Sequence, residues 1–326
     1  MTPILDHTYS VFTIAGGLSV YFEMAVNLAR SFELHNSNGE MAFHIITDLQ
    51  KNLPADLRNT KLIQLPSGSL ARGFSSKLHL DELAPTSRSL FIDADCLVLA
   101  SLEPVFQVFK DHPVGIFGEL MYDGEWFGDV ISIRAKLGLS HLNKFNGGVY
   151  YVTKTAQAHS IYSFARELEP MYDELGFVRL RGQADEEMLV GASLAWHGVL
   201  PLHNDGRFYA DFQWWPNLHC LNVLTGQCMM TNPPAPHPLH QARFPAAEAH
   251  PVIVHFLGYH VESPEYRQAK VSLRYRNTPF AHALGLVGSA PAYFDRAFRN
   301  LCRPAFHKIF GVRPVKRSDS RLIVDG

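Results

Sequence analysis

Cysteine is scarce in this chain: four in 326 residues (Cys96, Cys220, Cys228 and Cys302), with no CxxC pair and no zinc-type spacing. Neither a disulfide framework nor a thiolate metal cage is read from so few, and reduced thiols in a cytoplasmic setting are expected. An excess of charge of one sign is also missing. Twenty-nine basic residues stand against 31 acidic ones, a net charge of −2, so whole-surface attraction to nucleic acid is not expected. No apolar run approaches the roughly 20 residues that a membrane-crossing helix needs. The opening MTPILDHTYS has no basic stretch followed by an apolar core, so no export signal is read. Internal repeats and low-complexity tracts are absent too. What is plentiful is apolar material, 47% of the residues, enough for one large domain or a domain with an appendage.

The periodicity of that material alternates between strand and helix. VFTIAGG (11–17) reads as a buried strand entering a glycine turn, and Tyr21, Ala25, Leu28 and Phe32 then recur at helical spacing to about His35. MAFHIITD (41–48) and KLIQL (61–65) are further strands, and KLHLDELA is a short helix capped by Ser75 or Ser76 and stopped by Pro85. The alternation predicts an α/β fold with a mixed, mostly parallel sheet flanked by helices. VGIFG (114–118) and PVIVHFLGYH (251–260) read as strands, the second with His255 inside it, and helices are expected over 155–168 and 184–198. YDGEWFGD (122–129) reads as a loop over a site rather than core. The aromatic, proline-rich stretch 203–250 reads as irregular and part of a binding wall.

The chemistry concentrates at FIDADC, residues 91–96. Asp93 and Asp95, separated by Ala94, follow a β-type run, and carboxylates at i and i+2 on a strand share a face. Two hard oxygen donors at a strand end suit Mg²⁺ or Mn²⁺, ions that commonly bridge to substrate phosphates. A pair of solvated turn aspartates is the plain alternative. Asn146, Gly147 and Gly148 in KFNGGVYYV (144–152) permit close backbone approach to a ligand, or form an ordinary turn. Asp185, Glu186 and Glu187 open a helix, where acids complement the macrodipole.

In this order, SKLHLDELAP before LFIDADCLV, then FNGGVYYV, ADEEML and IVHFLG, the chain resembles the glycogenin-like and lipopolysaccharide galactosyltransferase-like retaining glycosyltransferases of family 8, on the GT-A fold. The resemblance spans about 250 residues. It implies that Asp93, Asp95 and His255 hold Mn²⁺ or Mg²⁺ on the diphosphate of a UDP-sugar donor. It implies that Lys77 contacts donor sugar and phosphate, and that Asn146, Gly147 and Gly148 flank the donor sugar. Asp185 would bind sugar hydroxyls, and Tyr21 with the Thr13–Ala15–Gly16–Gly17 turn would hold uridine, Asp48 being a weaker candidate there. The transfer of glucose or galactose to a glycan, lipid-linked or protein acceptor follows from the same resemblance.

Two departures from the family pattern stand out. Its Gln after the first acid is Glu186 here, a stronger nucleophile placed near the reacting sugar. Its closing HxxGxxKPW breaks after His255 and Gly258, which removes the diphosphate-clamping lysine and leaves His260, Arg267 and Lys270 as candidate replacements. That loss is the basis of an alternative, a GT-A protein that binds a nucleotide sugar or glycan without transfer. IDADCLV also resembles the opening of haloacid-dehalogenase phosphatases, but that motif normally begins the chain, and AGGLSVYF lacks the basic phosphate loop of nucleotidyltransferases. The organisation expected is a transferase domain over 1–278 and a basic amphipathic helical extension over 279–326. Phe294, Phe298, Leu301, Phe306 and Phe310 interleave there with arginines and lysines, a pattern that fits peripheral contact with the inner face of a membrane.

Overall fold

The structure, a computed structural model, describes residues 9–37, 39–70, 73–237, 239–241 and 247–311. Strand β1 (Tyr9–Ile14) leads through Gly16 and Gly17 into α1 (Ser19–His35), whose buried face is Phe22, Ala25, Leu28, Ala29 and Phe32. Tyr21 lies off that face and is exposed, contrary to the helical spacing read for it. β2 (Met41–Thr47) is buried at every position, as suits a strand with helices on both faces, and β3 (Thr60–Gln64) borders it. The turn Gly73–His79 is 3₁₀ and runs into a four-residue helix, α2 (Leu80–Leu83). Neither serine caps α2: Ser75 donates instead to Glu169 at 2.8 Å, because the 3₁₀ turn already holds the start of the helix.

β4 (Arg88–Ile92) carries the chain to Asp93, and β5 (Cys96–Val98) and α3 (Glu103–Val108) follow. VGIFG divides into β6 (Val114–Gly115) and β7 (Phe117–Met121), which join different sheets. Next come α4 (Val130–Leu137), β8 (Leu142–Phe145), β9 (Val149–Thr153) and α5 (Ala156–Leu168). After them lie α6 (Tyr172–Leu175), α7 (Glu186–Trp196), β10 (Leu202–His203) and β11 (Tyr209–Asp211). The segment 122–129 is core in part, where its sequence reads as a loop: Trp126 and Phe127 are buried beside Val130, Ile133 and Phe145, and Asp129 caps α4, while Tyr122 stays exposed. Two large rings flanked by apolar partners gain more from burial than from covering a site.

The stretch 203–250 is likewise more regular than its composition implied. β12 (Asn217–Asn222), β13 (Gln227–Thr231) and β14 (Glu248–Ala249) form an antiparallel sheet over a core containing Trp214, Trp215, Val223 and Met230. In 251–260 only β15 (Ile253–His255) is strand. His255 ends it, and Gly258, at φ +62°, opens a 3₁₀ turn, Gly258–Glu262, ahead of α8 (Pro264–Arg274) and α9 (Ala281–Phe310).

The central sheet has the order β3-β2-β1-β4-β9-β6, with the first four strands parallel and β9 running against β4 and β6. Side chains alternate across it. Phe12, Phe91, Tyr150 and Val152 face α5 and α7, while Val11, Leu90, Val149 and Tyr151 face the α1 side. β1 and β4 therefore end at one edge, where β9 begins, and the Asp93 amide donates to the Gly148 carbonyl at 2.9 Å. A small sheet, β11-β15-β5, adjoins that edge with His255 opposite Cys96 and beside Asp211. This register carries His255 to the aspartates from 160 residues away in sequence.

Candidate active site

Six segments meet at the carboxyl edge of β1 and β4. Asp95 Oδ1 lies 3.0 Å from His255 Nε2, and Asp93 Oδ2 lies 3.9 Å from the same nitrogen. The other ring nitrogen is held as well: His255 Nδ1 is 2.7 Å from the Tyr209 hydroxyl and 3.0 Å from Asn146 Oδ1. Tyr209 donates to Asn146 Oδ1, so its oxygen is left to accept from Nδ1–H. That tautomer aims Nε2 at the carboxylates. Burial acts to lower the His255 pKa, but Asp95 outweighs it and raises it above the ordinary value. Burial likewise acts to raise Asp95, and His255 outweighs it downward.

These donors fit a divalent cation. Asp95, Cys96 and His255 offer ligand atoms within 4.8 Å of one another. The buried Cys96 thiol is pushed well above its usual pKa, first by burial and then by Asp95 and Asp93, and it remains protonated. A hard ion would take Asp93 in place of that thiol.

Lys77 is the hinge between this cluster and α7. Its ammonium lies 2.8 Å from Asp93 Oδ2, 3.0 Å from Glu186 Oε1 and 3.0 Å from the Gly147 carbonyl, which occupies all three of its protons. Burial opposes that charge, yet Asp93 and Glu186 hold the pKa well above the ordinary lysine value. Asp185 caps α7, accepting the Glu187 amide at 2.9 Å, and Glu187 accepts the Gly147 amide at 2.6 Å. Burial and then Glu186 push the Asp185 carboxyl up to about 8. Glu186 Oε2 is buried and has no hydrogen-bond partner among the described residues. An orphaned buried acceptor is costly, and it marks a place where a ligand group would bind.

The glycines are required here. A Cβ on Gly147 would fall 2.6 Å from Glu186 Oε1, and one on Gly148 would fall 2.6 Å from both His255 Nδ1 and the Tyr209 hydroxyl. Ala94 is buried between the aspartates.

At the other end of the edge, Thr13 and Ala15 are fully buried, and Gly16 lies against Leu70 and Asp48. Asp48 ties two loops together, accepting from the Gly17 amide at 3.4 Å and the Gly68 amide at 3.1 Å. Gly258 faces open space. Of the candidate replacements for the missing lysine, Arg267 pairs with Glu262 and Lys270 with Glu23. His260 is pushed down to about 4 by burial, stacked on Phe212 at 3.8 Å, and is neutral at pH 7.

Tyr209 and Asp211 lie beside His255 although their sequence context gave them no role, and Glu187, read as a helix-opening acid, also holds the Gly147 amide. Tyr209 and Asp211 sit in a three-residue strand inside an aromatic stretch, and only the pairing of β11 with β15 brings them to His255.

No family model and no curated relative matches the chain. Among solved structures it is similar to the galactosyltransferase LgtC in complex with donor and acceptor sugar analogs, at 17% identity and TM-score 0.50 over 84% of this chain and 96% of that one. An active-site mutant of LgtC aligns at 17% identity and TM-score 0.49, over 76% and 87% of the two chains. Mouse xyloside xylosyltransferase 1 aligns at 16% and TM-score 0.44, over 62% and 87%. With its mostly parallel central sheet flanked by helices, the chain has the GT-A fold of glycosyltransferases.

Proposed function

We propose that this protein is a metal-dependent retaining glycosyltransferase that moves a hexose, glucose or galactose, from a UDP-sugar to a glycan, lipid-linked or protein acceptor. The observation that supports this reading best is the convergence of Asp93, Asp95 and His255 with Lys77 and the α7 acids at one sheet edge. In this reading Asp93, Asp95 and His255 hold Mn²⁺ or Mg²⁺, which when bound supplies positive charge to the departing diphosphate. Tyr209 and Asn146 fix the His255 ring from its far side. Lys77 adds a second positive charge beside the donor sugar and phosphate. Asn146, Gly147 and Gly148 let the donor sugar approach the backbone, and Asp185 binds its hydroxyls. Thr13, Ala15, Gly16 and Tyr21, with Asp48 bracing the loop, form the uridine side. Glu186, with its unpartnered oxygen, stabilises or traps the oxocarbenium-like anomeric centre.

Incubation with UDP-glucose or UDP-galactose and Mn²⁺ tests this directly. Transfer or slow donor hydrolysis, abolished by chelator, is expected. Saturation at 100 times Kd would add about 2.7 kcal/mol to stability, readable as a thermal shift. Binding without any turnover would instead favour the non-catalytic sugar-binding reading, to which the lost lysine points.

Tyr209→Phe tests the positioning of His255 separately. Removing the hydroxyl leaves the ring packed and takes away one anchor of Nδ1, so Mn²⁺ affinity by calorimetry is expected to fall about 10- to 100-fold. Unchanged affinity would mean that Asn146 alone orients the imidazole.

A further inference from the structure

We propose that α9 is a lipid-docking helix that lies flat on an anionic bilayer, the membrane-binding appendage of the domain that precedes it. The inference stands independently of the transferase reading. Its basis is that α9 turns its small residues inward and its large ones outward. Ala281, Gly285 and Ser289 are its buried positions. A Cβ on Gly285 would fall 2.1 Å from Ser272 Oγ, and one on Gly288 would fall 2.9 Å from Val271 Cγ2, so this face is fitted closely to α8. The contact continues through Tyr293 to Gln268 at 3.3 Å and Arg296 to Glu265 at 3.1 Å, and there α8 ends. From Tyr293 to Phe310 no residue is buried. A helix of that length standing free in water is marginal, because its stability ordinarily comes from packing an apolar face.

That apolar face exists and is bare. Phe280, Leu284, Val287, Phe294, Phe298 and Leu301 recur at three-, four- and seven-residue intervals along one side, opposite the α8 contact, and are between 37% and 79% exposed. At 1.5 Å per residue the stripe is about 30 Å long. Isolated exposed apolar residues need no explanation, but a continuous stripe does. No described helix is long and apolar enough to cross a membrane, so α9 would lie along a bilayer rather than span it.

Charge decides the occupant. Along the bare part of the helix, from residue 295 to 311, four Lys and Arg stand against Asp295 alone, a net +3, which leaves −5 on the rest of a chain whose total is −2. A second copy docked stripe to stripe would bring two +3 segments together. An anionic lipid surface instead complements this charge while burying the rings.

The test uses the full chain and vesicles of phosphatidylcholine alone or with 30 mol% (about one lipid in three) phosphatidylglycerol, a composition that mimics an anionic leaflet. Co-sedimentation with the anionic vesicles is expected, at least about tenfold stronger than with the neutral ones and weakened by salt. Phe294→Ser with Phe298→Ser is expected to reduce it at least about tenfold without lowering the thermal midpoint, since both rings are exposed. Cys302 offers a second readout. It is exposed near the stripe, whereas Cys96 and Cys228 are buried. An environment-sensitive fluorophore on Cys302, in a Cys220→Ser background, is expected to shift to the blue only with anionic vesicles. Equal binding to both vesicle types, no fluorophore shift, or a dimer in sedimentation that Phe294→Ser with Phe298→Ser dissociates would overturn the proposal, the last in favour of a second copy.

Discussion

Asp95→Ala is expected to abolish metal-dependent UDP binding while leaving the protein folded. The Asp95 side chain sits at the mouth of the site, a quarter exposed, and its ion-pair partner there is His255. Losing it opens no core cavity, but it deletes one of the three proposed donors and the charge that sets the state of a second. Loss of an outer-sphere partner costs about 10- to 100-fold in metal affinity, so loss of a direct ligand should cost about 100-fold or more. Calorimetry of UDP with Mn²⁺ and with chelator reads this out. If UDP affinity is unmoved by both the chelator and the substitution, the metal assignment fails.

The same pair predicts a pH dependence. The folded-state pKa of His255 lies above 6.5, burial being outweighed by Asp95. In the metal-free protein the stability from this pair is therefore full below the unfolded value of about 6.5 and is lost as pH rises through the folded value. Asp95→Ala should accordingly lower the thermal midpoint more at pH 5.5 than at pH 8.5, both about one to two units from that value. Metal binding needs the Nε2 lone pair, so the apparent Mn²⁺ affinity of the unaltered protein should rise over the same range. An affinity flat with pH would remove His255 from the ligand set.

Much of this edge was readable in the sequence because its parts are local. The turn after β4, the Asn-Gly-Gly before β9 and the acids opening α7 each occupy a few consecutive residues with their own geometric requirements. The strand and helix order was legible for the same reason, since periodicity is a local property. What could not be read was set by tertiary pairing. Trp126 and Phe127 look like lid residues until α4 and β8 are seen to enclose them. Tyr209 looks like one more aromatic among many until β11 lies beside β15. The α9 stripe was visible as a mixture of rings and charges, but which face α8 covers depends on Gly285 and Gly288, small residues that give no hydrophobic signal. Asp48 looked marginal for a similar reason. Its importance lies in joining two loops, through Gly17 and Gly68, that are 51 residues apart.

Glu186→Gln is expected to reduce kcat by about 10³-fold or more, a loss of about 4 kcal/mol of transition-state stabilisation, if the Glu186 carboxylate is the nucleophile. Retention at the anomeric carbon requires either two inversions through a glycosyl-enzyme or departure and attack on one face. In the first route a Glu186 oxygen bonds to the anomeric carbon as the bond to UDP breaks, and the acceptor oxygen then displaces Glu186. Oε1 is engaged with Lys77 at 3.0 Å, and Oε2 is the unpartnered atom, so an oxygen is available for this bond. Burial raises the Glu186 pKa while Lys77 opposes it, so turnover should climb with pH as the carboxyl ionises above its ordinary 4.5. Gln keeps the shape and an oxygen for Lys77 but carries no charge, so the substitution isolates the carboxylate's chemistry from its packing. A trapped adduct on Glu186, detected by mass spectrometry after incubation with a fluorinated donor, would accompany the large loss. Activity within a few-fold of the original, with no adduct and with the pH dependence retained, would leave the same-face route and reduce Glu186 to a group that steadies Lys77.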